Sequence, residues 1–281
     1  MTVRFPFAKM NGAGNDFILI DNRKKNIRLG EEAVRFLCGR RRGIGADGLI
    51  LLEPGGDVDF RMRYYNSDGR EAEMCGNGAR CVALFAGRLG LGNKADGETH
   101  LRFVARPGSM EATVRGDSVA VRMTDVTGYE EKVSILVAHR EEIVHVINSG
   151  VPHAVVIESD ISKLSNDAIV ERGRAIRNHS RFSPGGANAN FASVRPDGTV
   201  DVRTYERGVE AETLSCGTGS IATAVVAHHL GLSRSPVTLH THGGESLVVS
   251  FTETKNGATN VVLEGPVAIN FEGAVDFHEM E

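Results

Sequence analysis

Apolar residues recur along this chain in two periods. One set forms short runs of four to eight residues rich in Val, Ile, Leu and Phe, bounded by Gly, Asn and Asp, the pattern of β-strands. In the first half these runs are Val3–Met10, Phe17–Asp21, Leu49–Glu53, Phe60–Tyr65, Leu101–Ala105, Met110–Val114 and Val119–Met123. In the second they are Ile143–Asn148, Ala154–Glu158, Phe191–Val194, Val200–Tyr205, Val237–His240, Leu247–Phe251 and Asn260–Glu264. Two further segments, Glu31–Arg41 and Asn166–Asn178, carry helical spacing. Two more, Ala79–Leu89 and Ile221–Leu230, lack a polar face over most of their length, which predicts buried helices.

The pattern also repeats. Arg63-Tyr-Tyr-Asn66, Glu71-Ala-Glu73 and Met74-Cys75-Gly76-Asn77-Gly78 are echoed by Arg203-Thr-Tyr-Glu206, Glu210-Ala-Glu212 and Ser215-Cys216-Gly217-Thr218-Gly219. Each series leads into an apolar segment that closes on Leu-Gly-Leu, with fifteen residues from cysteine to closing glycine in both copies. Gly90 and Gly231 then fall just past a helix end, where positive φ is common. The reading is an α+β protein of two pseudo-symmetric halves, each a curved, mostly antiparallel sheet around a buried central helix. The first half spans residues 1–123 plus the returning segment 266–281, and the second spans 124–265.

Composition narrows the function. A net charge of −4 with no basic block argues against a nucleic-acid partner. The N-terminal segment has no signal-peptide core and no run approaches membrane-span length, so the expected location is the cytoplasm. Cys38, Cys75, Cys81 and Cys216 form no CxxC pair, and the spacing of Cys75 and Cys81 suits no shared metal.

The chemistry lies in the repeated cysteine. A thiol at a helix N-terminus is acidified by the helix dipole, and the N–H groups of the following turn form an anion site. A single such cysteine is as readily a small buried hydrophobe. Two copies at matched positions imply a pair, Cys75 and Cys216, facing across a cleft, with a carboxylate held by Gly76, Asn77, Gly217 and Thr218. One thiolate would take an α-proton and the opposite thiol would return one to the other face, inverting the centre. A redox role for the pair is the competing reading. Gly43-Ile-Gly45-Ala-Asp47-Gly48 approaches dinucleotide-loop spacing, but a strand follows it and it reads as a turn.

These residues resemble the diaminopimelate epimerase family over nearly the whole chain. The resemblance is carried by Lys9-Met-Asn-Gly-Ala-Gly-Asn-Asp-Phe17, Gly43-Ile-Gly-Ala-Asp47, Asn66-Ser-Asp-Gly69, Met74-Cys-Gly-Asn-Gly-Ala-Arg-Cys81, Val151-Pro-His153, Tyr205-Glu-Arg-Gly208 and Ser215-Cys-Gly-Thr-Gly219. It implies an isomerase that converts LL- to meso-diaminopimelate for lysine and cell-wall synthesis, without pyridoxal phosphate or metal, as a homodimer. It makes Cys75 and Cys216 the acid/base pair. Asn15, Asn66, Asn188, Glu206 and Arg207 become substrate contacts, mainly at the distal amino-acid end. His153 and Glu206 become modulators of the cysteine pKa values. Some members carry Gln at the place of Gly48 and Asn at that of Val151, and the Glu206–Cys216 spacing is one residue longer than in some. The nearest alternative is a proline or hydroxyproline racemase, whose first motif carries His where this chain has Asn77.

Overall fold

The computed structural model describes residues 2–25, 27–72, 75–106, 108–137 and 140–278. Glu73 and Met74 of the repeat lie outside them, as do the last three residues. In chain order the elements are β1 (Thr2–Gly12), β2 (Asn15–Asp21), α1 (Glu31–Cys38), β3 (Gly48–Glu53), β4 (Phe60–Asn66), α2 (Gly76–Arg88), β5 (Asn93–Ala95), β6 (Glu98–Ala105), β7 (Gly108–Arg115) and β8 (Ser118–Arg122). They continue with β9 (Thr127–Val137), β10 (Arg140–Asn148), β11 (Pro152–Ile157), α3 (Asn166–Arg177), β12 (Asn188–Val194), β13 (Val200–Glu206), β14 (Ala211–Thr213), α4 (Gly217–His229), β15 (Val237–Thr241), β16 (Ser246–Thr254), β17 (Gly257–Pro266) and β18 (Ala268–His278). Two short 3₁₀ turns flank α3. Among the described residues no helix is long and apolar enough to cross a membrane.

The chain divides into two compact units, Met1–Val121 with Gly265–Glu281, and Arg122–Glu264. In the first unit the strands pair in the order β18-β1-β2-β3-β4-β6-β7-β8, parallel at β2–β3 and β4–β6 and antiparallel elsewhere. In the second the order is β9-β10-β11-β12-β13-β15-β16-β17, parallel at β11–β12 and β13–β15. The two orders match strand for strand. The first half is thus closed by β18, the last strand of the chain, and the second by β9.

Each sheet holds a helix on each face. Central helix α2 packs on β1, β2, β3, β4, β6 and β7, and α4 packs on their counterparts β10, β11, β12, β13, β15 and β16. Outer helices α1 and α3 are the crossovers of the parallel pairs β2–β3 and β11–β12, as a parallel connection requires. Strands covered on both faces lose alternation. Gly48-Leu-Ile-Leu-Leu52 is buried throughout, with Leu49 and Leu51 in the cluster under α1 and Ile50 reaching Gly78 of α2.

The duplication extends to the helix ends. Gly90 (φ +82°) and Gly231 (φ +70°) both follow the C-cap. In both, the glycine N–H bonds the carbonyl three residues back, and the next N–H bonds the one five back, as Leu91 to Ala86 at 3.0 Å and Leu232 to Ala227 at 2.9 Å. This is a Schellman cap built twice.

Some expectations need correction. Helix α1 ends at Cys38, short of Arg41. The chain doubles back onto its last turn, where Ile44 and Gly45 both donate to the Leu37 carbonyl, and a Cβ on Gly43 would lie only 2.1 Å from the Phe36 oxygen. Strand β9 is absent from the sequence reading because only Ile135 and Val137 among its eleven residues are buried. The repeat is also displaced by one residue. Tyr65 bridges Glu71, and Tyr205 pairs with Glu212, not Glu210. Arg63 and Arg203 bind these same glutamates. Glu71 therefore corresponds to Glu212, each four residues before its cysteine, and the second copy carries one extra residue in the turn between.

Candidate active site

In the first unit, Cys75 is the N-cap of α2, extended at φ −138° and ψ 119°, and its carbonyl accepts the Ala79 N–H at 2.8 Å. The helix supplies no acceptor for the N–H groups of Gly76, Asn77 and Gly78, so this turn carries the positive end of the dipole. Asn15 opens β2 beside it. The Asn15 Oδ1 accepts from Asn77 Nδ2 at 3.3 Å and lies 3.5 Å from Cys75 Sγ. The Asn15 Nδ2 donates to Asp47 Oδ2 at 2.7 Å.

Asn66 closes β4 at the same sheet end, because Gly48 pairs with both Phe17 and Asn66. The Tyr64 hydroxyl donates to Asn66 Oδ1 at 2.7 Å. Gly48 makes room for that ring, since a Cβ there would stand 2.6 Å from Tyr64 Cε2.

Behind these residues lies an ionic cluster. Asp16 receives Lys9 Nζ at 2.9 Å and both terminal nitrogens of Arg40. Lys9 also donates to the Gly45 carbonyl. Burial alone would raise the Asp16 carboxyl, but the Arg40 and Lys9 hydrogen bonds outweigh it and hold it well below the usual carboxylate range. Cys38 lies near this cluster. Burial first, and then the Asp16 and Asp47 charges, push its thiol up to about 12.

The second unit repeats the frame. Cys216 is the N-cap of α4, extended at φ −121° and ψ 112°, and its carbonyl accepts the Ser220 N–H at 2.9 Å. Its Sγ lies 3.5 Å from Thr218 Oγ1, and Ser149 Oγ donates to the Thr218 carbonyl at 2.8 Å. His153 on β11 pairs with Asn188 on β12. The Asn188 Oδ1 accepts the backbone N–H of Arg207 at 2.7 Å. Glu206 closes β13 and Arg207 follows it.

His153 is fully buried, with Asn190 Nδ2 at 3.0 Å from Nδ1 and Asn188 Nδ2 at 3.4 Å from Nε2. Burial, and secondarily the Arg207 charge, push its pKa down to about 3 against the Asn190 hydrogen bond. The ring is neutral at physiological pH.

The matched registers make Asn66 equivalent to Glu206, Asn77 to Thr218, Gly48 to Asn188 and Asn15 to Val151. The structure brings Asn15, Cys75, Asn77 and Asn66 to one end of the first unit's sheet. It brings His153, Asn188, Glu206, Arg207, Cys216 and Thr218 to the corresponding end of the second. The duplication is uneven, because each half keeps a carboxamide where the other has Gly48 or Val151.

Three supporting residues escape a reading of the sequence. Asp47 sits in the Gly43–Gly48 segment, whose spacing reads as a plain turn. Arg80 is fully buried in α2 and donates to Asn77 Oδ1 at 2.8 Å. Asn190 Oδ1 accepts from Thr204 Oγ1 at 2.9 Å. The available signals are a lone charge inside an apolar helix for Arg80, and the two-residue spacing that puts Asn188 and Asn190 on one strand face.

Residues 7–128 and 145–269 match the family model described as diaminopimelate epimerase. A diaminopimelate epimerase of Chlorobaculum tepidum is 40% identical over 268 residues, covering 95% of this chain and 99% of the relative. One of Aquifex aeolicus is 41% identical over 290 residues, covering 98% and 99%. The chain belongs to the diaminopimelate epimerase family. Diaminopimelate epimerases are isomerases, and the chain is an isomerase of this class. Among solved structures, a probable proline racemase of Agrobacterium radiobacter aligns with a TM-score of 0.75 at 18% identity, covering 96% of this chain and 92% of that one. A hydroxyproline epimerase of Agrobacterium vitis aligns at 0.73 and 17%, covering 97% and 92%. At such identities the likeness extends to the fold alone, a fold that this diaminopimelate epimerase family member shares with those two structures.

Proposed function

We propose that this chain converts LL-diaminopimelate to meso-diaminopimelate by two-base proton transfer. One cysteine, as thiolate, removes the α-proton, and the other, as thiol, delivers a proton to the opposite face. The first sulfur ends as thiol and the second as thiolate, so protons balance. The observation that carries this reading is the pair of N-cap cysteines, Cys75 and Cys216, seated with nearly the same backbone angles on two equivalent buried helices. Family membership supplies the substrate class.

The α-carboxylate would take the N–H groups of Gly76, Asn77, Gly217 and Thr218, which stabilise the charge that develops as the proton leaves. The distal end carries an ammonium, suited to Glu206, and a carboxylate, suited to the Arg207 fork. Asn15, Asn66 and Asn188 would complete the polar contacts. Neutral His153 would act on cysteine reactivity through Asn188 and packing rather than as a charge. A homodimer in the cytoplasm goes with the same family resemblance, and light scattering on the purified chain reads the oligomeric part.

Incubation of the purified protein with LL-diaminopimelate in heavy water, without pyridoxal phosphate, tests the proposal. The expected result is meso product with one deuterium at the inverted carbon. Cys75→Ala and Cys216→Ala should each lower kcat by about a hundredfold or more, the range for a positioned acid or base. Retained turnover in either variant would refute the two-base scheme. L-Proline and hydroxyproline, offered in parallel, should remain unchanged.

A further inference from the structure

The asparagine pair beside Cys75 is anchored at both ends by groups whose hydrogen-bonding sense cannot change. At one end, Arg80 donates to Asn77 Oδ1 at 2.8 Å. A guanidinium has only donors, so the Asn77 oxygen must face it and the Asn77 amide must face Asn15. At the other end, Asp47 Oδ2 accepts from Asn15 Nδ2 at 2.7 Å while Asp47 Oδ1 is paired with Arg40 at 2.7 Å. A carboxylate has only acceptors, so the Asn15 amide must face it and the Asn15 oxygen must face Asn77 and the sulfur. The sense of the whole chain, Arg80 to Asn77 to Asn15 to Asp47, follows from chemistry at its ends and not from a choice of amide orientation.

We propose that Asp47 and Arg80 are positioning residues of the reaction, fixing Asn15 so that its carbonyl oxygen, not its amide, is presented to the Cys75 sulfur. An acceptor beside a sulfur bonds S–H and not S⁻, so the Asn15 oxygen favours the protonated form of Cys75 and opposes the pull of the helix N-terminus toward thiolate. Cys216 has a different neighbour, the Thr218 hydroxyl at 3.5 Å, which can donate as well as accept. The duplicated frame therefore carries a built-in difference between its two thiols. Among the described residues, the charged groups around the chain include Lys9 on β1, Asp16 on β2, Arg40 and Asp47 in the segment between α1 and β3, and Arg80 on α2. Lys9 and Arg40 together balance the charges of Asp16 and Asp47, and the pairs Lys9–Asp16, Arg40–Asp16 and Arg40–Asp47 hold Asp47 in place.

The inference rests on the reading of Cys75 as an acid/base group, and its test is independent of turnover. In a Cys216→Ala background, iodoacetamide labels Cys75 at pH 7, and the tryptic peptide Glu71–Arg80 reports that cysteine alone. Asp47→Asn removes the acceptor-only anchor and lets Asn15 turn its amide to the sulfur. Labelling should then rise by at least about threefold, within the tenfold that one pKa unit of thiol would give. Asp47→Glu keeps the anchor and should label at the parent rate. Unchanged labelling in Asp47→Asn, or an equal rise in Asp47→Glu, would overturn the inference. Should Asp47→Asn not fold, Arg80→Gln against Arg80→Lys poses the same question at the other end, with Gln expected to raise labelling and Lys to preserve it; in Arg80→Gln the tryptic peptide runs on to Arg88 and includes Cys81, so fragment-ion masses assign the label to Cys75. An intact Cys216 enzyme that never epimerises diaminopimelate would sink the proposed function and leave the labelling result standing.

Discussion

The Arg203 guanidinium meets the Glu212 carboxylate fork to fork, with Nε to Oε1 at 2.6 Å and Nη2 to Oε2 at 2.7 Å, and less than a tenth of either side chain is exposed. Its counterpart, Arg63 with Glu71 at 3.0 Å, is 42% and 35% exposed. Removing one partner of a buried pair strands the other charge, whereas exposed pairs contribute little. Glu212→Ala should therefore cost about 3 kcal/mol of stability, and Glu71→Ala less than about 1 kcal/mol. Urea unfolding of the two variants measures the difference. Equal losses would mean that the Leu164 carbonyl and Asn166, which also accept from Arg203, suffice to hold it.

The second glycine of each cysteine motif is set by packing within its own unit. A Cβ on Gly219 would stand 2.5 Å from Asn190 Oδ1 and 3.0 Å from Thr204 Oγ1, atoms that bond each other at 2.9 Å. On Gly78 it would stand 3.0 Å from Ile50 Cδ1, the free end of a flexible chain. Alanine is favoured over glycine in a helix by about 1 kcal/mol, which offsets a small clash but not a large one. Gly78→Ala should be near neutral. Gly219→Ala should lose about 1–3 kcal/mol by overpacking. Thermal melts of both variants decide it, and a stabilised Gly219→Ala would contradict the packing account.

Buried His153 links stability to pH. Its folded pKa, near 3, lies below the ordinary value of 6.5, so the unfolded chain binds the extra proton between those limits. Stability from this residue is complete above about pH 6.5 and is lost as pH falls toward 3. His153→Gln removes the proton site. Denaturant unfolding at pH 5 and pH 6 should then show a pH slope shallower than that of the parent by at most about 1.4 kcal/mol per pH unit. An unchanged slope would mean that His153 is charged in the fold.

Much of this molecule was legible in its sequence, and for local reasons. Alternating and continuous apolar runs depend only on which faces a strand buries, so most strands of both sheets could be placed. The helices α2 and α4 announced themselves as apolar nearly all round, and the Leu-Gly-Leu ends marked their caps. Strand β9 was not legible because it buries almost nothing, and strand pairing with an exposed face leaves no apolar signature. The end of α1 depended on a chain reversal that only Gly43 permits.

The candidate site divides the same way. That two cysteines head two copies of one helix can be read along the chain, because a repeat is a one-dimensional property and helix starts are local. The match of Glu71 to Glu212 needs the folded chain, since a one-residue insertion is resolved by strand register and by which arginine each carboxylate meets. The fold also sets Asp47 and Arg80 at the two ends of the Asn15–Asn77 pair and makes His153 neutral. Hydrogen-bond sense and desolvation depend on atoms brought together from distant points of the chain, 32 residues apart for Asn15 and Asp47, and no local pattern encodes such a meeting.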